Sequence, residues 1–279
     1  MQSDNFVDAG EIRSYLAEDF GNGDLTSDIV PADMQATATV MTREAAVLCG
    51  REWFSGVFRL LDPACEIIWR FGDGEQVDAG SQLCIVQGGA RALLSGERTA
   101  LNLLQTLSAT ATRSRAFADA VRGTGARILD TRKTLPGLRK AQKYAVRCGG
   151  CMNHRMGLYD GILIKENHIF AAGSIRNAML AVRARHPGID VEVEVESLAE
   201  LEQALDSGVE RVLLDNFDLD LLRQAVRINQ GRAQLEASGN VGLENVRRIA
   251  QTGVDFISVG SLTKDLKAID LSMDIELVK

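Results

Sequence analysis

The sequence predicts an α/β protein in which a small mixed domain is followed by a (β/α) barrel. Three observations carry this prediction. The pattern is irregular up to about residue 90 and regular after Gly125, short β-like runs then alternate with helix-like segments, and polar or charged residues end each of those runs. Strands that alternate with helices form right-handed βαβ units and a parallel sheet.

The elements follow in order. Residues 8–19 are amphipathic and predict a helix, and Ala36–Thr42 alternates like a half-buried strand. Residues 45–49, 65–70 and 82–86 predict further strands, 51–61 a helix, and the turn-rich Gly72–Gly80 a hairpin. A long helix is expected from about Gly96 to Val121, with Leu101, Leu104, Leu107 and Ala111 on one face. Beyond it ARILD, GILI, DVEVEV, RVLLD, AQLEAS and DFISV read as strands, with helices at about 137–148, 174–186, 197–207, 218–230 and 242–252. Ser197 to Glu200 has the spacing of a capping box, and Gly208 and Gly253 stand where helices end.

Such units can close into a barrel or stay open as a doubly wound sheet, and the strand ends favour the barrel. The successive runs end at or near Asp130 with Thr131, Arg132 and Lys133, then Lys165, Glu194 and Glu196, Asp215 with Asn216, Ser238 with Gly239, and Gly260 with Ser261. A barrel collects such groups from every strand at one face. An open sheet concentrates them at a single switch point. The barrel is expected to have fewer than eight strands.

Composition removes several classes of function. With 31 basic against 38 acidic residues the net charge is −7, which argues against nucleic acid or an anionic membrane as the main partner. At 46% apolar and 25% charged the chain is globular rather than disordered. Apolar runs such as Ala178–Val182 reach only five residues, too short for a bilayer. The N-terminal twenty residues lack the basic start and apolar block of a secretory signal. Five cysteines in a chain of this length are read as reduced thiols, which places the protein in the cytoplasm. Cys148 and Cys151 have C-x-x-C spacing but no second pair nearby, so they are read as structural.

Charge is unevenly distributed. Between Thr131 and Lys165 there are eight basic residues and one acid, Asp160, so this stretch carries +7 and the remaining 244 residues carry −14. Lys140, Lys143 and Arg147 are expected on a solvated helix face. Arg132, Lys133, Arg155 and Lys165 stand at strand ends or in the loop before one, where a ligand role is expected. Arginine forks match carboxylates and phosphates, so a small polyanion is the simplest ligand. In VEVEVE, period two puts Glu192, Glu194 and Glu196 on one face, and Asp215 closes the next strand. Carboxylates facing a phosphate call for a divalent cation between them, and magnesium suits that place. Glycines after the last two strands let backbone N–H groups approach a phosphate.

The motifs GERTALNLLQTLSATAT (96–112), DTRKTLPGL (130–138), KYAVRCGGCMNHRMGLYDGILIKENHI (143–169), VEVEVES (191–197), LLDN (213–216), EASGNV (236–241) and GVDFISVGSLT (253–263), with EDFGNGDLTSDIV (18–30), span nearly the whole chain. On these motifs the sequence resembles the bacterial quinolinate phosphoribosyltransferase family, also called nicotinate-nucleotide pyrophosphorylase (carboxylating). The resemblance implies an N-terminal α/β sandwich domain over 1–112, an incomplete (β/α) barrel over 113–265, and a tail, 266–279, that packs on the first domain. It implies conversion of quinolinate and phosphoribosyl pyrophosphate (PRPP) to nicotinate mononucleotide, pyrophosphate and carbon dioxide, in NAD biosynthesis.

Carried over by motif, Thr131, Arg132, Lys133, His154, Arg155 and Lys165 would hold quinolinate. Arg98 would join them from the partner subunit of a homodimer. Glu194 and Asp215 would face ribose and magnesium, the metal held in part through PRPP and water. Ser238, Gly239, Asn240, Gly260 and Ser261 would hold the 5′-phosphate, Asn240 standing where the family has a second glycine and tolerating the same backbone angles. Lys133, Lys165, Glu194 and Asp215 are the expected catalytic residues, acting by charge and position, and no general acid or base is assigned. Two alternatives remain: a pyridine monocarboxylate such as nicotinate as substrate, and the molybdenum-transport-associated relatives, which are expected to depart from NHR and LIKENH where this sequence keeps both.

Overall fold

The structure, a computed structural model, describes residues 7–278; the first six residues and Lys279, part of the expected first domain and tail, lie outside it. The chain divides into two compact units, one of the residues up to Thr112 with those from Leu266 onward, the other Arg113–Asp265. Among the described residues no helix is long and apolar enough to cross a membrane.

The first unit contains α1 (Ala9–Phe20), β1 (Gln35–Thr42), β2 (Ala46–Val47), α2 (Arg51–Leu61), β3 (Glu66–Trp69), β4 (Gln76–Val77), β5 (Gln82–Gly89) and the start of α3 (Ala90–Ala120). The alternation of β1 buries Ala36, Ala38, Val40 and Thr42 on one face. The β1 strand lies between β5 and the C-terminal strand Leu271–Val278, antiparallel to both, and β3 pairs with the far side of β5. The amphipathic α2 buries Trp53, Phe54, Val57 and Phe58. Here α3 begins six residues before Gly96: ARALLS is helix-forming, and Gly96 is tolerated inside because a side chain there would strike Phe58 at 2.9 Å. The Gly72–Gly80 stretch joins the antiparallel strands β3 and β5, and within this connection β4 pairs with β2 while Leu48 exchanges backbone hydrogen bonds with Gly74 and Glu75.

The second unit contains β6 (Arg127–Leu129), α4 (Arg139–Cys148), β7 (Ile162–Ile164), α5 (Glu166–Ala172), α6 (Ile175–Arg185), β8 (Val191–Val195), α7 (Leu198–Asp206), β9 (Arg211–Asp215), α8 (Leu219–Asn229), β10 (Gln234–Ser238), α9 (Val246–Ala250), β11 (Phe256–Ser258) and α10 (Ser261–Lys264); the chain then returns to the first unit as β12 (Leu271–Val278). The six strands β6 to β11 form a parallel sheet of order β6-β11-β10-β9-β8-β7. Each strand from β7 onward neighbours the next, and the first returns beside the last, without the reversal of a doubly wound sheet. This is a barrel left open between β6 and β7, with Met152 bridging to Leu129 at that edge.

Val193, Val195, Val212, Leu214, Leu235, Ala237 and Ile257 share one core with Leu201, Ala204, Leu222, Ala225 and Ile249 of the helices. The residues out of phase with them face the barrel interior. Register there sets Glu192 beside Arg211, and Glu236 beside Leu213 and Phe256. Barrel interiors usually carry branched apolar residues, so this charged interior is a departure to be explained.

Local details differ from the sequence-based expectations. Ser197 caps α7 by accepting from the Glu200 N–H (3.3 Å), but the Glu200 carboxylate bonds the N–H of Glu196, so the capping box is half formed. Gly208 follows α7 with φ +69°, whereas Gly253 lies three residues past the end of α9, in the turn before β11. The α9 helix is shorter than expected because Asn245 folds over its start, accepting from Gly242 N–H and donating to the Asn240 carbonyl (2.9 Å each). Glu196 falls beyond β8 and is exposed, leaving Glu192 and Glu194 as the interior acids of that strand.

Candidate active site

At the carboxyl ends of the strands lies a cavity of about 400 Å³ lined by Thr131, Lys133, Asp215, Asn216, Ser238, Gly239, Asn240, Val241, Ser258, Gly260, Ser261, Lys264 and Asp265. Four strands deliver these groups, as a barrel requires. Gly239 has φ +101°, and a Cβ there would stand 2.2 Å from Asn216 Oδ1, so only glycine fits between β9 and β10 at this level. Asn240 follows with φ +48°, a left-handed angle that asparagine adopts readily. The Ser261 hydroxyl is buried without a hydrogen-bond partner. An orphaned donor beside glycine backbone is the chemistry a phosphate oxygen satisfies.

Arg132 and Lys133 stand exposed beside this cavity, and among the described residues neither has an acidic partner. Arg155 is half-buried and donates to the Gly161 carbonyl (3.0 Å). Burial and the nearby charge of Arg132 push its guanidinium below the ordinary arginine value. The charges of Glu192 and Asp160 act in the opposite direction but do not outweigh this, and an anion between the two guanidinium groups would relieve the remaining cost. The ammonium of Lys165 lies 2.5 Å from Glu194 Oε2. Asp215 accepts from Asn216 Nδ2 (2.7 Å).

Deeper in the barrel the charges are paired. His154 Nδ1 accepts from the Arg155 N–H (2.7 Å), so Nε2 carries the proton and donates to Glu192 Oε2 (2.8 Å). The Arg211 guanidinium contacts Glu192 (3.2 Å) and pairs closely with Glu236. Burial, and then the charge of Glu192, raise the Glu236 carboxyl to about 7. Burial acts to raise Glu192 as well, but the His154 hydrogen bond and the Arg211 charge outweigh it and hold that carboxyl below its usual range. The two neighbouring acids are thus pushed in opposite directions, Glu236 up and Glu192 down.

His154, Glu192 and Glu236 converge closely enough to suggest a metal centre. The imidazole does not fit that role: its Nδ1 is occupied as an acceptor, which keeps the proton on Nε2, the nitrogen a metal would need. Oxygen donors suit magnesium, and Asp215 in the upper cavity and Glu194 on β8 carry them.

The expected residues thus fall into groups. Thr131, Lys133, Asp215, Ser238, Gly239, Asn240, Gly260 and Ser261 share the upper cavity. His154 and Arg155 line a second cavity of about 370 Å³ with Glu192 and Arg211, beside Asp190, Glu210 and Gln234 at the starts of strands. Arg98 is exposed on α3 in the first unit, 3.7 Å from Glu97.

Sequence reasoning assigned Lys143 to solvent; it is wholly buried and paired with Asp130. It also passed over Arg211 and Glu236, although both lie in phase with Asp215 and Ser238 on their own strands, and that alternation was the available signal. Cys151 is buried, its thiol donates to the Ser114 carbonyl, and burial pushes it up to about 12, so it is an inert thiol at neutral pH.

An incomplete parallel barrel with a glycine-lined cavity and exposed cations at its strand ends is the architecture of an enzyme that handles anionic substrates. Residues 24–108 match the N-terminal domain of quinolinate phosphoribosyl transferase, and 110–274 match its C-terminal domain. A nicotinate-nucleotide pyrophosphorylase [carboxylating] of Mycobacterium leprae is 44% identical, over 99% of this chain and 100% of that protein. The solved nicotinate-nucleotide pyrophosphorylase of Francisella tularensis superposes with a TM-score of 0.93 at 43% identity, covering 99% of this chain and 100% of that one. That of Ehrlichia chaffeensis gives 0.92 at 36%, covering 97% and 99%. The chain belongs to the quinolinate phosphoribosyltransferase family.

Proposed function

We propose that this enzyme transfers the phosphoribosyl group of PRPP to quinolinate with loss of one carboxyl group, giving nicotinate mononucleotide, pyrophosphate and carbon dioxide for NAD biosynthesis. The observation that supports a dicarboxylate is the gathering of Arg132, Lys133 and Arg155 on neighbouring loops, with Arg132 close enough to Arg155 to act against its charge. The 5′-phosphate is assigned to Ser238, Gly239, Asn240, Gly260 and Ser261, where the backbone is open and a hydroxyl lacks a partner. Asp215 faces the ribose. Lys165 exchanges its contact with Glu194 for a substrate carboxylate, which frees Glu194 toward the ribose. Bound magnesium would neutralise the pyrophosphate oxygens, held by Glu194 and Asp215 in part through PRPP and water.

Chemistry follows from charge. As the C1–pyrophosphate bond of the ribose breaks, positive character grows at C1, and Glu194 and Asp215 stabilise it while the pyridine nitrogen attacks from the opposite face. The nitrogen has a free lone pair and needs no base. Lys133 and Arg132 hold the ring carboxylates; the bond from the 2-carboxylate then breaks, leaving its electron pair at ring C2 beside the cationic nitrogen as carbon dioxide departs, and C2 takes up a proton from water to give nicotinate mononucleotide.

The protein is assigned to the cytoplasm as a homodimer in which Arg98 reaches the partner's site. Incubation with magnesium and PRPP tests the reading: quinolinate is consumed and nicotinate is not. Equal use of nicotinate would remove the dicarboxylate assignment. Mixing Arg98→Ala with Lys165→Ala chains should restore part of the activity through hybrid dimers, and no restoration between exchanging subunits counts against a shared site.

A further inference from the structure

The cations of the site arrive on two separate stretches of chain. Arg132 and Lys133 follow β6, whereas His154 and Arg155 lie in the loop between α4 and β7. Met152 pairs by its backbone with Ile128 and Asp130, and Arg139 donates to the Arg132 and Met156 carbonyls (3.2 and 3.4 Å), but the one buried carboxylate that joins the arms makes the shortest contacts with the main chain of His154. Asp130 is wholly buried and immediately precedes Thr131; its Oδ1 accepts from the Lys143 ammonium and from the His154 N–H (2.8 Å), and its Oδ2 accepts from Asn153 Nδ2 (2.6 Å). Lys143, also wholly buried, donates onward to the His154 carbonyl (3.0 Å), and Asn153 Nδ2 returns to the Lys143 carbonyl (2.8 Å). Both polar groups of His154's main chain are thus tied to one ion pair, and that pair stands at the root of the other arm.

A buried ion pair is weak evidence for stability, because apolar residues of similar volume often do as well. What apolar residues cannot do is aim a neighbouring backbone. We propose that Asp130 and Lys143 are positioning residues that fix the separation of the Arg132–Lys133 arm from the His154–Arg155 arm, and so set the fit for a ligand bearing two adjacent carboxylates. Neither residue touches the substrate. They act through the main chain of His154, in the way outer hydrogen-bond partners orient the groups that do touch a ligand. The identity of the dicarboxylate rests on the proposed function; the coupling of the two arms rests on the hydrogen bonds alone.

The test uses the full chain with Asp130→Asn and Lys143→Gln combined, which replaces the buried charges by neutral amides and strands neither. The expected result is a rise of about tenfold in KM for quinolinate, within the range that outer hydrogen-bond partners govern, with kcat and KM for PRPP nearly unchanged. Amide hydrogen exchange over residues 152–156 should quicken while that over β9 does not. A wild-type KM for quinolinate with unchanged exchange over 152–156 overturns the proposal. So does equal weakening of both substrates with faster exchange throughout the barrel, which is loss of fold rather than of aim. Asp130→Asn alone buries an unpaired ammonium and should do worse than the double variant; the reverse ranking also overturns it. Should the parent enzyme fail to turn over quinolinate, the functional reading falls, and exchange over 152–156 still decides the positioning claim.

Discussion

At the carboxyl ends of the barrel strands, Arg132 and Lys133 are exposed and have no acidic partner among the described residues, whereas Asp130, Lys143, Glu192, Arg211 and Glu236 are held in contacts with one another or with His154. Burial accounts for the difference. A charge taken out of water must find a counter-charge within the protein, while one left at a wet rim can wait for a ligand to supply it. On the proposed function, the inner charges belong to the architecture of the site and the rim charges to its chemistry. Substitutions in the two regions should fail differently.

The largest expected effect is on folding. Lys143→Met leaves Asp130 buried without its counter-ion, and urea unfolding should show a loss of about 3–5 kcal/mol; a loss below about 1 kcal/mol would mean the pair is not buried as described. Next, Lys133→Ala should lower kcat/KM by about 10²–10³-fold, as removal of a charge-stabilising donor does, with unchanged unfolding. If stability falls along with activity, the rim and the interior are not distinct.

The acid pair offers a pH test. Glu236 titrates near 7 in the folded chain against an ordinary value of 4.5, so between those values the folded state holds a proton that the unfolded state has released. Stability from this group is present below about 4.5 and is lost as pH rises toward 7, on the order of 1.4 kcal/mol per pH unit. Glu236→Gln should flatten that part of the stability–pH curve, and an unaltered slope would show that Glu236 is ionised throughout.

A smaller effect is expected at the cradle. Gly239→Ala should raise KM for PRPP about tenfold by straining a φ of +101°, measured with quinolinate saturating. The smallest belongs to the exposed pair of Arg223 with Asp220, where Arg223→Ala should change stability by less than about 0.5 kcal/mol. A larger loss there would contradict the rule that separates wet charges from dry ones.

Some of this was legible in the residues. Asp215, Ser238, Gly239 and Gly260 close runs whose alternation marks them as strands, and a barrel assembles its strand ends, so their meeting follows from local pattern plus topology. The strand Leu271–Val278 was equally legible, since Leu271, Met273, Ile275 and Leu277 alternate, yet no sequence-based strand was assigned there. Helices α5 and α10, with seven and four residues, were not, because neither is long enough to display a helical period. Lys143 misled for the opposite reason: on the amphipathic α4 a lysine reads as solvated, and only the fold places Asp130 opposite it.

By itself, then, the sequence determined the alternation of strands and helices, the barrel they form, the family and the collection of cations in one stretch. Those properties depend on local periodicity and on long motifs, which survive without coordinates. The tertiary structure alone decided which of those cations are free and which are bound, because pairing is set by distances between residues far apart in the chain: Lys143 with Asp130, His154 with Glu192, and Arg211 with Glu236. The count of charges marks where cations collect along the chain, and burial separates the exposed ones from those held in ion pairs.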